Sequence, residues 1–503
     1  MKKETLRAAA FYLALFLGLA LINLSLFNYA CDDSYIHFRI AENLLHGRPY
    51  YNPGEPVMGS SSAGWTLTLF LLFLLAGVKL KVVSVFNAAA TTLAAYVYAR
   101  VVDEAAGKRR FSHDLLVAAL LTSVLIYPDV GLMETPLALL VLGVGVFLYL
   151  RKNGLSFVLL GMSVFFRPEL IVFLILFLGF NLHARVVPIR RSFLYSMLGA
   201  APLIAYDYAF FGTLIPLPAI AKGVVYQLSR ADVLDTGTPR FFLDGLSGLM
   251  AEAVLLLMLF YITLRMALKC RRGPGCGVPA LLLSGGALIF LAYFFEKVKI
   301  DDWYAPLYAA PFFLSSLIYA VKEKNRVLGV FLLLAFLPFG AGLYDTAYAA
   351  ARDRYACPHY YFEGRVGRYL EVGRRLYERY PDCTLMASEI GGLGFAFKGK
   401  IYDSVGLVSP GALRYQPMKV PEQRLSGQWG CIPAGYAAEK RPDIIVSIDR
   451  CMDRRFPAGF LDKYVMIKED IYEPEEIDML REKGMIVINR LLILIRKDRY
   501  RGF

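Results

Sequence analysis

The chain has 503 residues, of which 57% are hydrophobic and only 19% charged, with a mean hydropathy of +0.48. A soluble protein carries about a quarter of its residues charged, so a water-soluble enzyme is excluded. The formal net charge of +13 does not indicate a nucleic-acid partner, because the basic residues gather in short connectors. These are Lys2, Lys3 and Arg7; Lys108 to Arg110; Arg185, Arg190 and Arg191; Lys269, Arg271 and Arg272; and Lys322, Lys324 and Arg326. Cytoplasmic loops of polytopic membrane proteins carry this bias, and the same residues attract anionic lipid.

Apolar runs recur up to Leu343, and about 20 residues suffice for a helix to cross a hydrocarbon core of roughly 30 Å. Phe11 to Phe27 is long and lacks a small-residue cleavage pattern, so it is not a removable signal. With the N-terminus in the cytoplasm, a first helix over Ala8 to Tyr29 delivers Asp32 and Asp33 to the outer side. The next run, Trp65 to Val78, is short, and a crossing there would put Lys108 to Arg110 outside, against the charge rule. It is therefore expected to be a re-entrant or juxtamembrane helix on the outer face.

The second pass is then Val82 to Val102. The remaining passes are expected over Leu115 to Tyr127, Pro136 to Leu150, Leu155 to Phe166, Leu170 to Leu182, Phe193 to Phe211, Leu246 to Leu268, Pro279 to Phe295, Tyr304 to Val321 and Val327 to Leu343. The short pair flanking Arg167 and Pro168 also reads as one broken hairpin. About eleven spans result, an odd number that leaves the C-terminus outside.

After Tyr344 charges, Gly and Pro become frequent. Strands are expected over Thr384 to Ser388, Asp443 to Ile448, Tyr464 to Lys468 and Met485 to Arg496. Helices are expected over Gly364 to Tyr380 and Glu475 to Lys483. Leu491 to Ile495 is too short to span and reads as a buried strand. The fold class is thus an all-α polytopic membrane domain, residues 1–344, followed by a small extracytoplasmic α/β domain, residues 345–503. Cys357, Cys383, Cys431 and Cys451 fall in that domain, where an oxidising compartment permits two disulfides with any of three pairings. Cys270 and Cys276 are placed in an inner loop, and neither set has metal-site spacing.

With this topology the unusual polar motifs collect on the outer face. The first outer loop, residues 31–64, holds Asp32, Asp33, Tyr35, His37 and Arg39, and the segment from Asp33 to Arg39 can form an interfacial amphipathic helix. Later outer turns hold Glu134, then Arg167 with Glu169, then Lys222, then Asp301 and Asp302. A carboxylate can take a proton from a sugar hydroxyl or hold a divalent metal. Arg and Lys can neutralise a departing phosphate, and a polyprenyl phosphate presents its head at this face while its tail lies in the bilayer.

The segment Asp32-Asp-Ser-Tyr-Ile36-x-x-Arg39-x-x-x-Asn43-Leu44-x-x-Gly47 continues as Tyr51-Asn-Pro-Gly-Glu55-x-Val57-x-Gly59-x-Ser61-x-x-x-Trp65. Together they resemble the first outer loop of the GT-C glycosyltransferases, and within them the terminal arabinofuranosyltransferase family and its prokaryotic relatives. Gly131 to Pro136, Arg167 to Glu169, Gly212 and Pro216 with Lys222, Ser388 to Phe395 and Tyr402 to Leu407 follow that family's motifs in the same order. The first-loop block is specific; the shorter matches are weak alone.

The resemblance implies a GT-C-like membrane domain, a polyprenyl-phosphate sugar donor, a glycan or lipid-linked acceptor, and a catalytic Asp in the first outer loop. A pentofuranose such as arabinose is a sugar consistent with it, though no residue reports arabinose specifically. Asp32 and Asp33 become the catalytic candidates, with Asp32 slightly preferred as base on the resemblance alone. The substrate-binding candidates are Tyr35, His37, Arg39, Glu134, Arg167, Glu169 and Lys222.

Each has a plain alternative. The aspartates can terminate a helix at the interface, and the histidines can be amphipathic surface groups. Arg39 can meet lipid headgroups, Lys222 can be a solvated charge, and Arg167 can form a structural pair with Glu169. Glu134 can favour the macrodipole of the following helix. Asp301 and Asp302 read as an interfacial loop with Trp303 and Tyr304 as aromatic belt. Glu389 to Gly394 reads as a strand-to-helix turn able to contribute to an acceptor groove. A transporter or flippase of lipid-linked sugars is the competing class, but no internal repeat supports it.

Overall fold

A long first helix, α1 (Lys2–Leu26), ends in a 3-10 turn (Phe27–Tyr29), and the chain re-enters helix at once as α2 (Asp32–Leu44). The computed structural model of the protein describes residues 2–225, 257, 260–261, 263–265, 274–298, 300–352, 358–417, 432–448, 456–482 and 489–503. The pass expected over Leu246 to Leu268 falls largely outside them.

The helical part continues with α3 (Ala63–Ala76), α4 (Leu80–Ala106), α5 (Phe111–Val130), α6 (Thr135–Leu150), α7 (Ser156–Phe166), α8 (Ile171–Ala184), α9 (Ile189–Phe211) and α10 (Leu217–Val225). It resumes with α11 (Pro274–Glu296), α12 (Ala305–Lys322) and α13 (Arg326–Ala351). Among the described residues, five segments are long and apolar enough to cross a membrane: Glu4–Tyr29, Leu80–Ala106, Phe111–Val130, Gly277–Glu296 and Ala305–Lys322. α3, α6 and α7 are shorter apolar helices. α3 buries Trp65, Leu69 and Phe73 on one side and exposes Leu71, Leu74 and Leu75 on the other. Cys276 lies in the first turn of α11 rather than in a loop.

Small residues set the closest helix approach. α7 and α9 touch through Gly161 and Gly199, where a Cβ on Gly161 would sit 2.5 Å from the Ser196 carbonyl oxygen and one on Gly199 would overlap that of Val158. Without a hydrophobic drive between helices in lipid, such backbone proximity is what holds them. At the α4–α5 turn, Gly107 takes a left-handed φ of 68° as C-cap, and Lys108 to Arg110 are exposed beside it. Below them Arg100 pairs with Asp103 at 3.0 Å and with Asp114, while His113 meets Asp103 at 2.6 Å. These charges are buried as partners of one another rather than singly, as burial demands.

From residue 358 the chain forms an α/β unit: α14 (Pro358–Arg379), β1 (Leu385–Ala387), α15 (Gly391–Phe397), β2 (Ile401–Asp403), α16 (Ala434–Lys440), β3 (Ile444–Ile448), β4 (Tyr464–Asp470), α17 (Pro474–Glu482) and β5 (Arg490–Arg496). The sheet order is β2-β1-β3-β5-β4. β2, β1 and β3 are parallel, with Leu385 opposite both Ile401 and Ile444. β5 runs antiparallel to β3 and β4. Leu491 to Ile495 are all buried in β5, the pattern of a strand covered on both faces. Cys383 is buried, whereas Cys357, Cys431 and Cys451 lie outside the described residues, as does any pairing that uses them.

Candidate active site

Three breaks in apolar helix bring the polar groups together. Pro168 forces the residue before it away from helix, so Arg167 is extended (φ −147°, ψ 114°) and ends α7. Between α5 and α6, Leu132 adopts φ 58° although it is fully buried. A left-handed Leu costs roughly 1–2 kcal/mol, and such strain persists only where the surroundings impose it. The turn it creates presents Glu134 at the N-cap of α6. Lys222 is carried by α10, whose start is fixed by the Leu217 N–H donating to the Met58 carbonyl at 3.0 Å.

Tyr304 is the common centre. Its hydroxyl accepts from Lys222 Nζ at 2.6 Å, and the Arg167 guanidinium lies 4.4 Å from its ring centroid. Lys222 stands between two carboxylates, Asp33 at 3.7 Å and Asp301 at 3.6 Å. Arg167 is bonded to Glu134 and, at 3.0 Å, to Glu169, which also accepts from the Tyr293 hydroxyl at 2.8 Å. Glu134 is wholly buried and Arg167 nearly so, yet among the described residues Glu134 Oε2, Glu169 Oε2, Arg167 Nε and Trp303 Nε1 have no hydrogen-bond partner. Asp33 and Glu169 are the accessible members, their side chains 29% and 25% exposed.

His37 is buried one turn along α2 with its Nδ1 3.0 Å from the Ser60 hydroxyl. Burial pushes its imidazole below the ordinary range, although Glu134 and Asp33 pull the other way, so it is neutral at pH 7.

Asp32 points elsewhere. Its two oxygens accept the Gly391 and Gly392 N–H groups, each at 2.9 Å, at the start of α15. Burial and then the nearby Glu389 charge raise its carboxyl to about 7, against the lowering effect of those two N–H bonds. Arg39 is buried as well: it donates to the carbonyls of Tyr51 at 2.9 Å, Gly394 at 2.6 Å and Gly399 at 2.6 Å. Tyr35 packs edge-on against Phe38 and close to Phe395.

Of the residues singled out in the sequence, Asp33, His37, Glu134, Arg167, Glu169 and Lys222 converge. Asp32, Tyr35 and Arg39 instead join the α/β unit to α2. Asp301, Tyr304 and Tyr293 belong to the cluster although the sequence reading gave Asp301 and Tyr304 to an interfacial belt and passed over Tyr293. The signal for Asp301 was its place in an outer turn with the other odd charges. Among the described residues no three His, Cys, Asp or Glu side chains gather closely enough to hold a metal ion; the carboxylates here are matched to Lys222 and Arg167 instead.

This architecture is similar to that of a solved membrane protein. One solved structure it resembles is that of ArnT from Cupriavidus metallidurans bound to undecaprenyl phosphate, with a TM-score of 0.52 and 10% sequence identity, over 98% of this chain and 99% of that one. Residues 358–487 match a family described as a domain of unknown function (DUF8728). No curated protein matches the chain by sequence.

Proposed function

We propose that the protein is an integral-membrane glycosyltransferase that moves a sugar from a polyprenyl-phosphate donor to a glycan or lipid-linked acceptor at the outer membrane face. The observation that carries this reading is Asp33, a partly exposed carboxylate, held beside a Lys222 that is itself fixed by Tyr304 and Asp301. The fold it shares with ArnT, whose solved structure holds undecaprenyl phosphate, agrees with a lipid-phosphate donor. A pentofuranose such as arabinose is the sugar that the first-loop resemblance favours.

In this mechanism the acceptor hydroxyl oxygen forms a bond to the anomeric carbon as the bond from that carbon to the phosphate oxygen breaks. The hydroxyl proton passes to Asp33, and the electron pair of the broken bond leaves with polyprenyl phosphate. Lys222 meets the charge that develops on that oxygen, where a fixed cation is worth most. Arg167, already matched by Glu134 and Glu169, holds the wall of the site and the Tyr304 ring in place.

Purified protein in proteoliposomes, given radiolabelled polyprenyl-phosphoryl sugars and candidate acceptors with and without chelator, tests the reading. Labelled acceptor is the expected product, and Asp33→Asn lowers its formation by about 10²–10⁴-fold, the span of a lost general base. Donor movement across the bilayer with no product would instead establish a flippase. Full turnover in Asp33→Asn would remove the base assignment.

A further inference from the structure

Consecutive residues leave an α-helix about 100° apart, so Asp32 and Asp33 at the start of α2 face different partners. Asp33 lies beside Lys222. Asp32 spends both oxygens on the Gly391 and Gly392 N–H groups. The fit there is tight: a Cβ on Gly391 would overlap the Asp32 carbonyl oxygen. Around this contact the Tyr51 hydroxyl donates to the Ile390 carbonyl at 2.6 Å. Glu389, the nearest other carboxylate, is matched by Arg365 and by the Tyr369 hydroxyl, each at 2.5 Å.

The same first turn of α2 grips the helical part. The Ser34 hydroxyl donates to the Gly131 carbonyl at 2.5 Å, and the Cys31 N–H reaches the same oxygen at 3.3 Å. Gly131 opens the turn that ends in Glu134. One helical turn therefore touches the α/β unit through Asp32, the Lys222 cluster through Asp33 and the Glu134 turn through Ser34.

We propose that Asp32 is a positioning residue: by accepting the Gly391 and Gly392 amides it fixes the rotation of α2, and so the place of Asp33 against Lys222. This rests on the reading of Asp33 as the base. Both Asp32 oxygens are turned to the Gly391 and Gly392 N–H groups and not to Lys222, and misplacing a reacting group by about 1 Å costs about 10²-fold in rate.

The test compares Asp32→Ala, Asp32→Asn, Gly391→Ala, the double variant Asp32→Ala/Gly391→Ala and Asp33→Asn in the full-length protein. It uses steady-state transfer kinetics, thermal melting and amide hydrogen exchange. Asp32→Ala and Gly391→Ala are each expected to lower kcat by about 10–100-fold with donor KM changed less than about two-fold. The double variant is expected to be no slower than the slower single one, and Asp32→Asn, which keeps one acceptor oxygen, to recover part of the rate. Exchange at Gly391 and Gly392 rises in Asp32→Ala, while protection in α4 to α6 is unchanged.

An unchanged kcat in Asp32→Ala, or additive losses in the double variant, overturns the proposal. So does an inactive Asp32→Ala beside a fully active Gly391→Ala, which would place Asp32 in the chemistry. Full activity in Asp33→Asn instead overturns the assignment of Asp33 as base, and with it the positioning role of Asp32, while unchanged exchange at Gly391 and Gly392 in Asp32→Ala overturns the contact itself.

Discussion

At the scale of single residues, Arg167 shows what a buried charge requires in this protein. It is about 1% exposed and bonded to Glu134 and Glu169, with Glu134 fully buried. Removing one partner of such a set leaves an uncompensated buried charge and costs about 3–5 kcal/mol, whereas replacing both partners with apolar groups can be neutral. Arg167→Met is therefore expected to lower the melting temperature strongly, and the added change Glu134→Leu to restore much of it. Differential scanning fluorimetry of the two variants in the same detergent checks this; equal melting temperatures would mean the pair carries no such penalty. Transfer activity is not expected to return with stability, because the Tyr304 ring loses the cation 4.4 Å from its centroid.

The same residues show what could be read in advance. Arg167 and Glu134 stood out because a charge between apolar runs has to be matched by something. That Tyr293 and Tyr304 complete the match was hidden, because aromatic residues near a membrane interface are ordinary and only the crossing of α11 and α12 brings these two to Arg167. The doublet was legible as a site and not as a division of labour: which aspartate meets Lys222 depends on the azimuth of α2, and the α/β unit, some 355 positions further along the chain, helps to set that azimuth.

At the scale of elements, apolar length was a good guide. α1, α4, α5, α11 and α12 lie where the passes were expected, and the short Ala63–Ala76 helix matches the run set apart for its length. In the α/β unit β1, β3, β4 and β5 were legible from β-branched runs. β2 was missed because its three residues, Ile401 to Asp403, take their place only by pairing with β1.

The α7–α9 contact yields the prediction at this scale. Gly199→Val puts a branched side chain where the Val158 carbonyl already lies, and overpacking of this kind costs about 1–3 kcal/mol. A lower melting temperature and weaker amide protection in α7 are expected by hydrogen exchange. Unchanged protection would show that the helices can part without loss.

At the scale of the molecule, the first loop and the α/β unit are joined by a small set of polar bonds. Arg39 alone holds three carbonyls, those of Tyr51, Gly394 and Gly399. Asn52 bonds both the carbonyl and the N–H of Ile401, at 2.8 and 3.0 Å. Hydrogen bonds from a charged donor contribute about 1.5–3 kcal/mol each, and an acceptor left buried without one is costly. Arg39→Met keeps the apolar stem and removes the donors, so it is expected to raise exchange in residues 391–400 and to lower the melting temperature. Transfer should fall as well, since Asp33 shares α2 with Arg39. Unaltered exchange in that segment would show that Arg39 does not hold the two parts together.

Nearly every one of these bonds takes side chains from the loop and backbone atoms from the α/β unit: the Gly391, Gly392 and Ile401 amides, and the Ile390, Gly394, Gly399 and Ile401 carbonyls. Backbone groups are the same whatever residue carries them. A docking surface made this way asks its partner for a path of the main chain and for room at Gly391 and Gly394, where a Cβ would strike Asp32 and Tyr51, and in side chains for Lys398 and Lys400 opposite Glu42 and Glu55 and for Phe395 against Tyr35. The α/β unit thus meets the loop that carries Asp32 and Asp33 chiefly through its main chain.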